Sequence, residues 1–260
     1  MSSRAFRRAL VRPPAQNFAD GLTTVDLGTP SVAAALEQHE RYCEALERCG
    51  LALTRLAADP RHPDSTFVED TAILTGGVAI LTRPGAPSRE GEVAEIEEAL
   101  SLFFSGFARI GSPGTVDGGD VCEAGDHVFI GVSQRTNAEG ARQLAELLAS
   151  AGLTSSLVDI RAEPGILHLK SGIAWLDGRR LVVIDALAGN AAFRGWDLVR
   201  VVPEEAYAAN LVRVNEAVFV ASGFPGLEKT LRDLRHRPVP LDMSEFQKMD
   251  GGLSCLSLRF

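Results

Sequence analysis

One pattern recurs along this chain and narrows its folds more than any other. An apolar hairpin, a helical stretch and a single strand return about every 40 to 50 residues. The hairpins are legible from their turns: residues 71–81 around Gly76-Gly77, 119–130 through Gly125-Asp126, 173–184 at Asp177-Gly178, and a further hairpin at 210–220. Helical periodicity marks residues 31–49, with Ala35, Leu36, Tyr42, Cys43 and Leu46 on one face and Gly50 as the stop. Residues 90–104, 137–151 and 226–234 read as helices too, and the fourth unit has only a weak, short helical part. Strands follow at 51–56, 107–110, 155–160, 198–202 and 238–241. Five units fit when the first is split between the chain ends, a strand at 5–12 pairing with the terminal alternation Leu256, Leu258, Phe260. An ordinary α/β sheet with accidental spacing is the alternative. The turn residues recur in register with the hairpins, which favours the repeat. It implies a single domain over residues 1–260, with a site on the central axis where loops from every unit converge.

Composition excludes several functions. A formal net charge of -8 argues against nucleic acid, which would call for a basic stripe, and suits a cationic ligand. No apolar run is long enough for a membrane span, and the basic start lacks a signal peptide's apolar core, so a cytoplasmic protein is expected. Cys43, Cys49, Cys122 and Cys255 show no CxxC pairing. A disulfide framework and a structural zinc site are therefore not expected.

Chemistry concentrates just before the hairpins. Asp64, Glu69 and Asp70 precede the second; solvated loop acids are common, but a carboxylate also grips a planar guanidinium in a bidentate fork. Arg89 and Arg135 lie at loop and helix-start positions, where a pair of cations could clamp a carboxylate. The two sets together suit a ligand cationic at one end and anionic at the other, such as an amino acid bearing a guanidino group. Asp117 precedes the third hairpin in Val116-Asp117-Gly118-Gly119-Asp120, and Asp120 could equally be a structural cap. His168 precedes the fourth. Cys255 follows Gly251-Gly252 near the end; a lone cysteine is more often a small buried apolar residue than a nucleophile. With His168 as general acid/base and Asp117 as its orienter, it completes a nucleophile-base-orienter set.

Phe67-Val68-Glu69-Asp70, Thr115-Val116-Asp117-Gly118-Gly119-Asp120, Arg135-Thr136-Asn137-Ala138-Glu139-Gly140-Ala141, Leu167-His168-Leu169-Lys170 and Asp250-Gly251-Gly252-Leu253-Ser254-Cys255 occur in one order along the chain. This ordered set resembles the dimethylarginine dimethylaminohydrolases, guanidino-modifying enzymes with a five-bladed α/β propeller of ββαβ units (the pentein fold). The resemblance implies a hydrolase that converts Nω-methylated arginines to citrulline and a methylamine through a covalent thiouronium on Cys255. It makes Cys255 the nucleophile, His168 the acid/base and Asp117 the orienter, where relatives carry either aspartate or glutamate. Asp70 would fork onto the guanidino nitrogens with Glu69 in support. Asp64 and the Leu22 carbonyl would receive the α-amino group, Arg89 and Arg135 the α-carboxylate, and Met249 would lend a backbone carbonyl near the distal end. No cofactor is implied; zinc captured by Cys255 and His168 would inhibit. Homodimers are common in the family. Arginine deiminases of the same superfamily carry an aspartate where this chain has Lys170, and a deiminase activity is the second reading. A non-catalytic binding propeller, like the ribosome-binding translation factor of this fold, is the third.

Overall fold

The computed structural model describes residues 5–75 and 77–260. Residues 1–4 and Gly76, half of the second hairpin's turn, lie outside the described residues. Among the latter, the strands form five three-stranded sheets, and each unites a hairpin with one further strand. The chain divides into two compact units. One comprises residues 69–200; the other joins the segment up to Val68 with the one from Val201 to Phe260.

In the 69–200 unit, Ala72–Thr75 and Val78–Leu81 pair antiparallel, and Ala108–Arg109 adds parallel to the second. The next sheet repeats the plan with Val121–Ala124, His127–Val132 and Thr154–Asp159. Ile173–Asp177 and Arg180–Ile184 form the fourth hairpin, and Asp197–Val201 extends that sheet. The helix Ala138–Ser150 is capped by Asn137, whose side chain accepts the Gly140 N–H at 2.7 Å. Its buried face, Leu144 and Leu148, packs with Ile73, Ile80, Val128 and Ile130. Burying each such side chain stabilises by about 1.5–3 kcal/mol before entropy is counted.

The other unit holds the sheet that joins the chain ends. Arg8–Val11 pairs antiparallel with Leu258–Arg259 and parallel with Ala52–Arg55. Its second sheet is Val212–Val214, Ala217–Ala221 and Arg237–Leu241. The helix Val32–Arg48 starts at Ser31, as the periodicity predicts, and buries Tyr42, Cys43 and Leu46 against Phe219 and Leu256. Phe18, Phe67 and Phe246 meet with ring centroids 5.5–6.3 Å apart.

Three features depart from the sequence expectation. The predicted helix at 90–104 begins as a 3-10 segment, Pro87–Glu92, and is α-helical only over Val93–Ser101. Gly91 within it weakens regular helix there. The expected terminal strand starts late: Leu253–Leu256 is a 3-10 turn, and only Leu258–Arg259 pairs. The helix Ser244–Gln247 and the 3-10 segment Pro203–Ala209 are too short to show periodicity.

Candidate active site

Each sheet's first hairpin strand, or the terminal strand in the sheet that joins the chain ends, is preceded by a 3-10 segment. These are Val68–Thr71, Gly118–Asp120, Leu169–Ser171, Pro203–Ala209 and Leu253–Leu256. The candidate residues sit on or beside these turns: Glu69 and Asp70, Asp117, His168, and Cys255. A 3-10 turn reverses the chain in few residues and leaves backbone groups that short polar side chains can satisfy.

The 69–200 unit brings several of them together. Asp117 and His168 are buried, and His168 Nε2 lies 2.9 Å from Asp117 Oδ2. A carboxylate only accepts, so Nε2 carries the proton and Nδ1 is left to exchange one. The other oxygen, Asp117 Oδ1, accepts the Gly85 N–H at 2.8 Å. Asp70 Oδ1 is 4.0 Å from His168 Nε2 and accepts the Gly119 N–H at 2.8 Å. Gly119 has to be glycine here, since a Cβ would stand 2.7 Å from the His168 ring. Gly118 likewise abuts the Glu69 carbonyl, where a Cβ would lie 2.0 Å away.

Electrostatics follow from this burial. Desolvation alone would lower His168, but the charges of Asp70, Asp117 and Asp120 outweigh it and hold the imidazole up at about 9. Asp70 loses solvation too, yet the His168 and Arg89 charges keep its carboxyl below the usual range. At neutral pH His168 is therefore held as an imidazolium beside the Asp70 carboxylate.

Arg89 is 4 % exposed, and its guanidinium grips acids of its own unit. Its Nη1 is 2.5 Å from Asp70 Oδ2, and its Nε and Nη2 fork onto Glu92 at 3.0 and 2.8 Å. Arg135 is more open, with Nη1 4.0 Å from Asp117 Oδ2. Glu69 pairs with Lys170 Nζ at 2.6 Å. Asp70, Asp117 and His168 each offer a ligand atom, all within 4.8 Å of one another. A divalent cation could span them, in competition with the His168–Asp117 hydrogen bond and with Arg89.

The other unit places Cys255, Asp64, Leu22 and Met249. Cys255 is buried, and its sulfur lies 3.5 Å from the Gly252 N–H. Its turn is held from several sides. Asn210 accepts the Ser254 N–H at 3.0 Å, and the Tyr207 hydroxyl donates to the Gly251 carbonyl at 2.9 Å. A Cβ at Gly251 would stand 2.3 Å from the Phe67 ring, and one at Gly252 2.5 Å from Asn210. The Gly-Gly pair thus lets the turn lie against aromatic and amide surfaces. Asp64 receives the Leu22 N–H at 3.0 and 3.2 Å, and a Cβ at Gly21 would touch both Asp64 and the Met249 side chain.

Sequence reasoning missed Glu92, Asn210 and Tyr207. Asn210 ends the 3-10 segment before the fifth hairpin, the place its counterparts hold before the others. The repeat register was the signal that could have found it.

The chain is similar to known proteins over nearly its whole length. Residues 60–201 match the family model of arginine deiminase. The N(G),N(G)-dimethylarginine dimethylaminohydrolase of Pseudomonas aeruginosa is 44 % identical over 256 residues, 98 % of this chain and 100 % of that one. The enzyme of the same name from Streptomyces coelicolor is 36 % identical, covering 97 % and 96 %. A solved structure of the Pseudomonas enzyme, a cysteine-to-serine mutant complexed with citrulline, superposes with a TM-score of 0.95 at 43 % identity over 99 % of this chain and 100 % of that one. The fold class is therefore the five-unit α/β propeller of the guanidino-modifying enzymes, one unit to each sheet. Within that class, the chain belongs to the dimethylarginine dimethylaminohydrolase family.

Proposed function

We propose that this protein hydrolyses Nω-methylated arginines, asymmetric dimethylarginine and monomethylarginine, to citrulline and a methylamine. The observation that carries the reading is the buried His168–Asp117 pair with Asp70 beside it. An imidazolium kept charged by three aspartates is suited to protonate a departing amine. In this reading the Cys255 thiolate attacks the guanidinium carbon. His168 gives its proton to the alkylamine nitrogen as the C–N bond breaks, leaving an S-alkylthiouronium. Neutral His168 then takes a proton from water, the hydroxide adds to the same carbon, and the C–S bond breaks as the new hydroxyl loses its proton to solvent, releasing citrulline and the thiolate.

Asp70 faces the guanidino nitrogens and Glu69 supports it. Asp64 and the Leu22 carbonyl receive the α-amino group, Arg135 and Arg89 the α-carboxylate, and the Met249 carbonyl the distal end. For Arg89 this role comes in addition to its bonds with Asp70 and Glu92. Lys170, paired with Glu69, gives no carboxylate to the far guanidino nitrogens, which favours methylated substrates over plain arginine. The reading includes no metal cofactor, with zinc at Cys255 and His168 as an inhibitor, a cytoplasmic location, and a homodimer. No helix among the described residues is long and apolar enough to cross a membrane.

The test is a panel of dimethylarginine, monomethylarginine and arginine, with citrulline and amine quantified together. The expected result is equimolar citrulline and methylamine from the methylated forms, at a higher kcat/KM than arginine. Faster turnover of arginine would move the protein to the deiminases, and no turnover of any would remove the reading. The pH profile carries a second expectation. His168 must enter the first step protonated, so kcat should fall as pH rises through about 9. A profile flat to well above that value would contradict the acid role.

A further inference from the structure

In the reaction as written above Asp120 lends only its charge to His168, yet it is fully buried and bonded to the segments that carry both members of the acid/base pair. Its Oδ1 accepts the backbone N–H of Leu169, the residue after His168, at 2.9 Å. Its Oδ2 accepts the Ser133 hydroxyl at 2.6 Å. The Ser133 oxygen in turn accepts the N–H groups of Arg135 and Thr136 at 2.9 and 3.0 Å. The Thr136 hydroxyl bonds Asp120 and also accepts the Asp117 N–H at 3.1 Å. Asp120 N–H donates to the Asp117 carbonyl at 3.0 Å. One carboxylate is thus linked within a bond or two to the backbones of His168, Asp117 and Arg135. It is also tightly packed, since a Cβ at Gly131 would come within 2.7 Å of Asp120 Oδ1.

We propose that Asp120 is a positioning residue: it sets the separation of His168 and Asp117 by holding both of their backbone segments from behind. A neutral acceptor could not take its place. Asparagine can offer its oxygen to the Leu169 N–H or to the Ser133 hydroxyl, and its amide then faces the other. Ser133 already accepts two N–H donors, so an amide there meets an oxygen with no lone pair to spare. The cost of such a misfit is geometric, and displacement of a catalytic group by about 1 Å can lower a rate about a hundredfold. The proposal rests on His168 being the proton-transfer group of the proposed reaction.

The test uses the full chain with Asp120→Asn, Ser133→Ala and the double variant. Three quantities are read: melting temperature, kcat and KM for dimethylarginine, and the imidazole N–H resonance of His168 in 15N-histidine-labelled protein. The expected result is a folded Asp120→Asn protein with kcat lower by about tenfold to a hundredfold. KM should stay within about threefold, because Asp120 does not touch substrate. Ser133→Ala should show a smaller loss in the same direction. The double variant should lose less than the product of the singles, because the two side chains act through one bond. The His168 Nε2–H signal, sheltered by Asp117 in the parent, should broaden or vanish in Asp120→Asn.

A folded Asp120→Asn protein with parental kcat and an unchanged imidazole signal overturns the proposal, as does a change confined to KM. If Asp120→Asn does not fold, Ser133→Ala decides by the same criteria. A parent inactive on dimethylarginine, with the imidazole signal still lost in Asp120→Asn, would remove the substrate reading and support the positioning role. An active parent with an indifferent Asp120→Asn would remove only the positioning role.

Discussion

Cys255→Ser will lower citrulline formation from dimethylarginine by about a thousandfold or more in kcat, with the fold retained. That loss corresponds to at least about 4 kcal/mol of transition-state stabilisation. The substitution is nearly isosteric, and the turn that carries Cys255 is fixed by groups other than its sulfur. Asn210 holds Ser254, Tyr207 holds the Gly251 carbonyl, and Cys255 N–H reaches the Gly252 carbonyl at 3.2 Å. The melting temperature should therefore move little. What changes is the nucleophile: the Gly252 N–H points at an atom that a thiolate fills and a serine hydroxyl does not activate. Circular dichroism and a discontinuous citrulline assay check both halves. Retained activity in a folded Cys255→Ser protein would remove the covalent mechanism.

His168→Ala is expected to cost about 10²–10⁴ in kcat, the span usual for a positioned acid/base, with a smaller effect on KM. Asp117→Asn should follow with a loss of roughly tenfold or more. The amide side chain of that variant would have to serve the Gly85 N–H and His168 at once, and it can accept at only one of these places. Stability gives an independent sign. His168 is raised in the folded state from its ordinary 6.5 to about 9. The stabilisation it contributes is fully present below about 6.5 and lost as pH rises through about 9. In His168→Ala the fall in stability across that window should be smaller than in the parent. Equal pH dependence in the two proteins would place the titration elsewhere.

The repeat made much of this fold readable. Hairpins with glycine-containing turns and helices with Ser31 or Asn137 at their starts are local signals, each decided by a few neighbouring residues. The short 3-10 segments were not legible, because three or four residues carry no period. Those segments nevertheless place Asp70, His168 and Cys255. The candidate site was readable as a set of motifs, and its internal wiring was not. No spacing tells that Arg89 is buried between Asp70 and Glu92, that Lys170 answers Glu69, or that Asp120 backs His168. These are contacts between residues brought together by separate units of the repeat or by side-chain rotamer, and they become visible only with coordinates. Asn210 shows a middle case, because its position repeats although its residue type does not.

The most direct measurement is a rapid acid quench of the protein turning over dimethylarginine, followed by intact-mass and peptide mapping. The expected result is a transient mass increase equal to substrate minus dimethylamine, located on the peptide that contains Cys255 and absent from Cys255→Ser. Citrulline formed at the full rate with no adduct at any quench time, or an adduct on another cysteine, would contradict the covalent mechanism.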